Sequence, residues 1–259
     1  MFEDSLENEK AVHGSRWLTL HDGYFAEPEL AIPLLDSISR EILKFKPDVV
    51  ADLGGGTGFL LSELAKRHPK ASIKYMNIDI SPQQLQECRD DRICCRQISA
   101  TGITREMLVE RDGSLLVIMR SLLHYLGSGG ITPFLGHLRA QMKPGEAMIH
   151  QTACFEHQED ADCANHLYAL MRTAKWYPTI MNLTQTLNET GWQVVDCKPA
   201  PELCLKSSEL AERYSLSAAD IDQISNELGS KYYRPEVFVP EGSNFTAFLS
   251  YRVFICRAK

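Results

Sequence analysis

The sequence has no apolar run long enough to cross a bilayer. Its longest clean one, "LLVIM" at 115–119, falls far short of the roughly 20 residues a spanning helix needs. Blocks of lysine or arginine are absent and the net charge is −7, so the broad basic footprint of a DNA- or RNA-binding surface is missing. None of the eight cysteines, at 88, 94, 95, 154, 163, 197, 204 and 256, has C-x-x-C spacing. That removes the signature of zinc ribbons and of thioredoxin-like redox chemistry. An apolar leader is lacking too, since the chain opens on "MFEDSLENEK". Internal repeats and low-complexity stretches are also missing. Together these absences predict a soluble cytoplasmic protein with free thiols and with neither nucleic acid nor membrane as partner.

What is present is ordinary globular material: 259 residues, 44% hydrophobic and 24% charged, enough to bury a substantial core. The chain alternates helical and extended patterns. Leu30, Leu34, Ile38, Ile42 and Phe45 recur at three-to-four spacing over 27–45, an amphipathic helix stopped by Pro47. "DVVADL" is an apolar strand of the kind buried on both faces of a parallel sheet. "FLLSELAKRH" reads as a helix, "SIKYMNID" as a strand, and "SPQQLQE" as a helix with Ser81 as N-cap, Pro82 at its first position and Gln84 completing a capping box. "RICCRQI", "SLLVIMR" and "AMIHQT" are further strands, with a helix over "TPFLGHLRAQM" capped by Thr132. Helical patterns follow over 162–176 and from Pro178 to Gly191, then the strand "WQVVDC". Two helices around Leu210 and Ile221 and a terminal strand, "FTAFLSYRVFICRA", complete the chain.

This alternation predicts a Rossmann-like, doubly wound α/β fold. Its sheet is mostly parallel and seven-stranded, with an antiparallel terminal strand. We expect an N-terminal helical cap over 1–45 and a core over 46–259, with 198–244 inserted between the last two strands. In such sheets ligands bind beyond the carboxyl ends of the strands, where strand order reverses.

A glycine loop, "ADLGGGTGFL" at 51–60, stands at that place. A P-loop would need Gly-Lys five residues on, but Phe59 and Leu60 stand five beyond Gly54 and Gly55. The dinucleotide fingerprint G-x-G-x-x-G fits Gly54 and Gly56 and then meets Phe59. The residues instead spell D-x-G-x-G-x-G: Asp52, Gly54, Gly56 and Gly58, with Gly55 between. Side chains there are expected to collide with a ligand lying across the strand end.

That pattern resembles motif I of the class I S-adenosylmethionine-dependent methyltransferases. The resemblance extends to "NIDIS", where Asp79 closes the second strand 25 residues after Gly54, like the acid that holds the cofactor's ribose hydroxyls. It extends also to "KPGE" at 143–146, and covers about residues 46–197 and the final strand. It implies S-adenosyl-L-methionine as cofactor, held by Asp52, the glycines 54, 55, 56 and 58, Asp79 and Ile80. The adenine partner falls on Ser99, with Gln97 as rival. The segment "MRSLLHYLG" looks like the Lys-x-x-x-His-Asp-Trp of small-molecule O-methyltransferases, which puts Arg120 beside the cofactor and makes His124 the base for an accepting hydroxyl. Tyr125 and Leu126 depart from that pattern. A histidine suits the task because its pKa near 6.5 prepares a hydroxyl nucleophile at neutral pH; the alternative is a pocket-lining residue.

The expected activity is methyl transfer to a small molecule, at oxygen first, with nitrogen or carbon as alternatives. A cofactor-binding partner protein without turnover and a nicotinamide oxidoreductase are the competing classes. His150, Cys154, His157, Cys163 and His166 gather within 150–166 without a recognised zinc spacing, so no metal is expected. Trp17, Tyr24, Phe25, Trp176 and Tyr177 are candidates for an apolar lid, and the insertion for a pocket cover or a homodimer contact.

Overall fold

The computed structural model describes residues 23–110 and 112–259; Trp17 therefore lies outside the described residues. The strands are β1 (Val49–Leu53), β2 (Lys74–Asp79), β3 (Ile93–Gln97), β4 (Leu115–Arg120), β5 (Ala147–Ala153), β6 (Trp192–Lys206), β7 (Phe238–Glu241) and β8 (Asn244–Ala258). Between them run α1 (Pro28–Phe45), α2 (Phe59–Arg67), α3 (Pro82–Gln86), α4 (Arg105–Leu108), α5 (Gly127–Ala140), α6 (Gln158–Leu170), α7 (Ile180–Glu189), α8 (Ser207–Tyr214) and α9 (Ala218–Lys231). The sheet order is β3-β2-β1-β4-β5-β8-β6, with β7 pairing β8. β1 pairs in parallel with both β2 and β4, and β8 runs antiparallel to β5 and β6.

β1 and β5 are buried at every position because helices cover both faces of the sheet. On one face Leu34, Leu35 and Ile38 of α1 and Leu61 and Leu64 of α2 pack on Val50, Ile118, Ile149 and Ile255. On the other, Leu135 and Leu138 of α5 and Leu183 and Leu187 of α7 meet Ala51, Val117, Met148 and Phe254. Each such leucine contributes about 1.5–3 kcal/mol of burial free energy. α8 and α9 bring Leu210, Ile221, Ile224 and Leu228 onto Phe155, Tyr177 and Tyr251, a third core beyond the carboxyl ends of the strands. Among the described residues, no helix is long and apolar enough to cross a membrane.

Four local expectations change. β6 continues through "KPAPELCLK" to Lys206 despite Pro199 and Pro201. It is the outer strand, where a missing N–H costs no ladder bond, and its register shifts between Ala200 and Leu203 absorb the irregularity. The short β7 pairs with β8, adding an eighth strand. α5 begins at Gly127 rather than after Thr132, because a 3₁₀ turn over Leu123–Leu126 leads straight into it. Pro133 stands seventh in that helix. α6 spans 158–170, earlier than the 162–176 pattern.

The chain passes from β1 outward to β3 and then crosses back to β4. The sheet's switch point is therefore the crevice at the carboxyl ends of β1 and β4.

Candidate active site

The glycine loop leaves β1 at that crevice and is held from β2. The N–H groups of Gly54 and Gly55 donate to the Ile78 carbonyl at 2.8 and 3.3 Å. Asn77 Nδ2 donates to the Gly56 carbonyl at 2.8 Å. Asp79 Oδ2 accepts the Gly56 N–H at 2.9 Å and its Oδ1 accepts the Ser81 N–H at 2.8 Å. Burial raises the Asp79 carboxyl above its ordinary range, against the opposing pull of the Ser81, Gly56 and Ile80 N–H groups.

Asp79 also changes the start of α3. Ser81 caps it as expected, accepting the Gln84 N–H at 3.3 Å. The second half of the capping box is absent because Asp79 already takes the Ser81 N–H. Gln84 turns instead to the loop, where its Oε1 stands 2.3 Å from a Cβ built on Gly56.

The protein itself crowds the loop where the glycines stand. A Cβ on Gly55 would come within 2.3 Å of Asn77 Oδ1 and 2.7 Å of the Asp52 carboxyl, and one on Gly58 within 2.6 Å of Cys88 Sγ. Gly56 takes a φ of 55°, in the left-handed region. The protein's own side chains fill the space a side chain would need at Gly55, Gly56 and Gly58.

The cavity at the switch point is bordered by Gly54, Gly55 and Gly56 and by Asp52, Asp79, Ile80, Ser99 and Arg120. The structure thus brings together every expected cofactor residue except Gly58, which caps the start of α2 and does not itself border the cavity. Ser99 Oγ lies 2.8 Å from Thr101 Oγ1, while the rival Gln97 points its amide at the Ile80 carbonyl and does not border the cavity. Asp52 is 1% exposed, and among the described residues neither of its carboxyl oxygens has a hydrogen-bond partner. Burial, with Asp79 adding to it and Arg120 opposing, pushes this carboxyl up to about 8. Arg120 Nη2 and Nη1 donate to the Tyr24 and Phe25 carbonyls at 3.0 and 3.3 Å, and its guanidinium lies over both rings.

His124 does not border this cavity. Its ring is 5% exposed and sits among aromatics, 4.3 Å from the Tyr125 ring and stacked 5.3 Å from Tyr177. The residue after it, Tyr125, borders the cavity instead. A 3₁₀ turn over Leu123–Leu126 sets which of the two faces inward, and residue spacing does not reveal that. Of the lid candidates, Phe25 borders the cavity, Tyr24 clamps Arg120, and Trp176 and Tyr177 pack in cores.

Sequence reasoning missed Asn77, Gln84 and Tyr125. Asn77 carried a signal: a polar residue inside the apolar strand "YMNID", and the structure buries it fully. The 150–166 residues disperse. His150 is buried against Phe254, held by Thr152 Oγ1 at 2.6 Å, and burial depresses it to about 3. Cys154 and Cys163 lie in different cores, and His166 pairs with Glu227 at 3.0 Å. Among the described residues, no group of three or more His, Cys, Asp or Glu could hold a metal.

A family model described as a methyltransferase domain matches residues 26–196. A search of curated proteins finds no match. A structure from Bacillus halodurans assigned to the methyltransferases superposes with a TM-score of 0.67 at 13% identity, covering 86% of this chain and 97% of that one. A Geobacter sulfurreducens SAM-dependent methyltransferase in complex with S-adenosyl-L-homocysteine gives 0.53 at 14% identity, covering 90% and 92%. The Burkholderia thailandensis 1,6-didemethyltoxoflavin-N1-methyltransferase, with its acceptor and S-adenosylhomocysteine bound, gives 0.57 at 14%, covering 100% and 91%.

Proposed function

The chain belongs to the methyltransferase-domain family, and from that premise we propose that it transfers the methyl group of S-adenosylmethionine to a small-molecule acceptor, at a hydroxyl oxygen. One observation carries the reading: the buried Asp52 carboxyl, with both oxygens unpartnered among the described residues, borders the same cavity as Asp79 and Arg120. A buried ionisable group without a partner is costly and calls for a ligand group of opposite charge.

The residues fit the donor. Asp52 suits its ammonium. Asp79 has one lone pair of each oxygen fixed by a main-chain N–H, which leaves the others for the two ribose hydroxyls. Arg120 carries a cation whose hydrogen bonds go to neutral carbonyls, and this suits the donor's carboxylate. Ile80 and Ser99 border the side assigned to the adenine. The bound donor supplies an electrophilic methyl on a sulfonium. The chain's own work is to align the acceptor with it and to keep water out, for which Phe25, Leu122 and Leu126 provide an apolar wall.

Calorimetry with S-adenosylhomocysteine tests the donor half, and transfer of a labelled methyl to a panel of phenols, alcohols and amines tests the acceptor half. Binding of the product together with methylation of a hydroxyl is expected. No binding sinks the reading, and a thermal shift with NADH but not with S-adenosylhomocysteine would move the chain to another chemistry.

A further inference from the structure

We propose that Tyr125 is the group that takes the proton from the accepting hydroxyl, acting as a phenolate held by Arg213 and Lys175. This rests on the hydroxyl-acceptor reading above. Tyr125 borders the cavity that Asp52, Asp79 and Arg120 share, whereas His124 does not. Two cations from two other parts of the chain meet its phenol. Arg213 of α8 donates from Nη2 to the phenol oxygen at 3.3 Å, and Lys175, between α6 and α7, places Nζ 4.6 Å from the ring centroid. Lys175 is 8% exposed and donates to the Tyr214 hydroxyl at 2.6 Å, so its position is fixed by the fold.

The other groups around this phenol can be named. The His124 ring lies against it, Tyr168 and Tyr214 surround the Lys175 ammonium, and Arg120, Asp52 and Asp79 border the same cavity. Glu209 and Glu212 share α8 with Arg213. Nearby phenols differ in kind: Tyr24, Tyr177 and Tyr251 are buried, and desolvation holds each of them protonated. Tyr125 is half-exposed, so it pays less of that cost while keeping both cations close.

In the step itself, the hydroxyl proton passes to the Tyr125 oxygen as the acceptor oxygen bonds the methyl carbon. The carbon–sulfur bond breaks and its electron pair stays on sulfur. One positive charge on sulfur and one negative charge on the phenolate are cancelled together, and the phenol later releases its proton to solvent.

The first test is an ultraviolet titration of the donor-free protein, which reads tyrosinate directly and needs no acceptor. One tyrosine should ionise at least about one pH unit below the ordinary value near 10. That step should vanish in Tyr125→Phe, which keeps the ring and its packing, and move upward in Arg213→Gln and Lys175→Met. Identical titrations of Tyr125→Phe and the parent overturn the proposal. In turnover, Tyr125→Phe should lose about a hundredfold or more in kcat while S-adenosylhomocysteine affinity is unchanged; turnover near the parent's also overturns it. Failure of S-adenosylhomocysteine to bind the parent would instead remove the methyltransfer reading, and the titration would still report on Tyr125.

Discussion

Asp79 accepts the main-chain N–H of Gly56 at 2.9 Å across the gap between β2 and the glycine loop. One carboxylate therefore shapes the loop, starts α3 and faces the cavity. Asp79→Ala should weaken S-adenosylhomocysteine by about 1–3 kcal/mol, the usual cost of deleting one partner of a buried polar pair. Calorimetry reads it, and parental affinity would mean the ribose lies elsewhere.

Asp52 predicts a pH effect of definite sign. Its folded value, about 8, lies above the ordinary carboxyl value. The native state thus binds a proton that the unfolded chain has released, and the stability this contributes is present at low pH and lost as pH rises to about 8. Donor-free Asp52→Asn should lose less stability than the parent over that window, measured by urea unfolding at several pH values. Parallel curves would place the carboxyl's ionisation elsewhere.

Gly55→Ala should cost about 1–3 kcal/mol, the price of overpacking a close-packed site. The new methyl meets Asn77 and the Asp52 carboxyl, so donor affinity should fall with stability. A variant as stable as the parent would show that Asn77 and Asp52 can move aside.

Glu146 closes the turn before β5. It takes Arg105 on both oxygens, at 2.7 and 2.8 Å, and also accepts the N–H groups of Leu115 and Lys143. Glu146→Ala leaves the half-buried Arg105 guanidinium with only the Gln141 and Gly113 carbonyls and strands two main-chain donors, and we expect a loss of about 3 kcal/mol in urea unfolding. A loss below about 1 kcal/mol would place this pair with ordinary surface ion pairs.

His124→Ala separates positioning from proton transfer. Removing the ring between Tyr125 and Tyr177 should lower turnover by about tenfold while the acid limb of the pH–rate profile keeps its midpoint. Disappearance of that limb would make His124 the base after all.

The cavity residues proposed to hold the donor were legible in the sequence because one local stretch and one strand end supply most of them: Asp52, the glycines and Asp79 lie within 28 residues of chain. The strands were legible for the same reason, apolar runs being the requirement for burial on both faces. The pair proposed to face the acceptor was not. Arg213 and Tyr125 are 88 positions apart, and only the packing of α8 over the strand ends brings them together. That Tyr125 rather than His124 borders the cavity was not legible, because a 3₁₀ turn, unlike a helix or strand, leaves no periodic mark. β6 was cut short because prolines normally end a strand, a rule that an outer edge relaxes.

On the proposed reading the chain divides the two substrates between separate lengths of polypeptide: one end of the sheet for the donor, and, for the acceptor, α8, which reaches over from a detour between β6 and β8 to touch Tyr125. Descendants of this protein could exchange that detour for another and inherit a new acceptor while leaving the sulfonium grip untouched. Chimaeras that swap residues 207–243 between relatives are the natural way to retarget it.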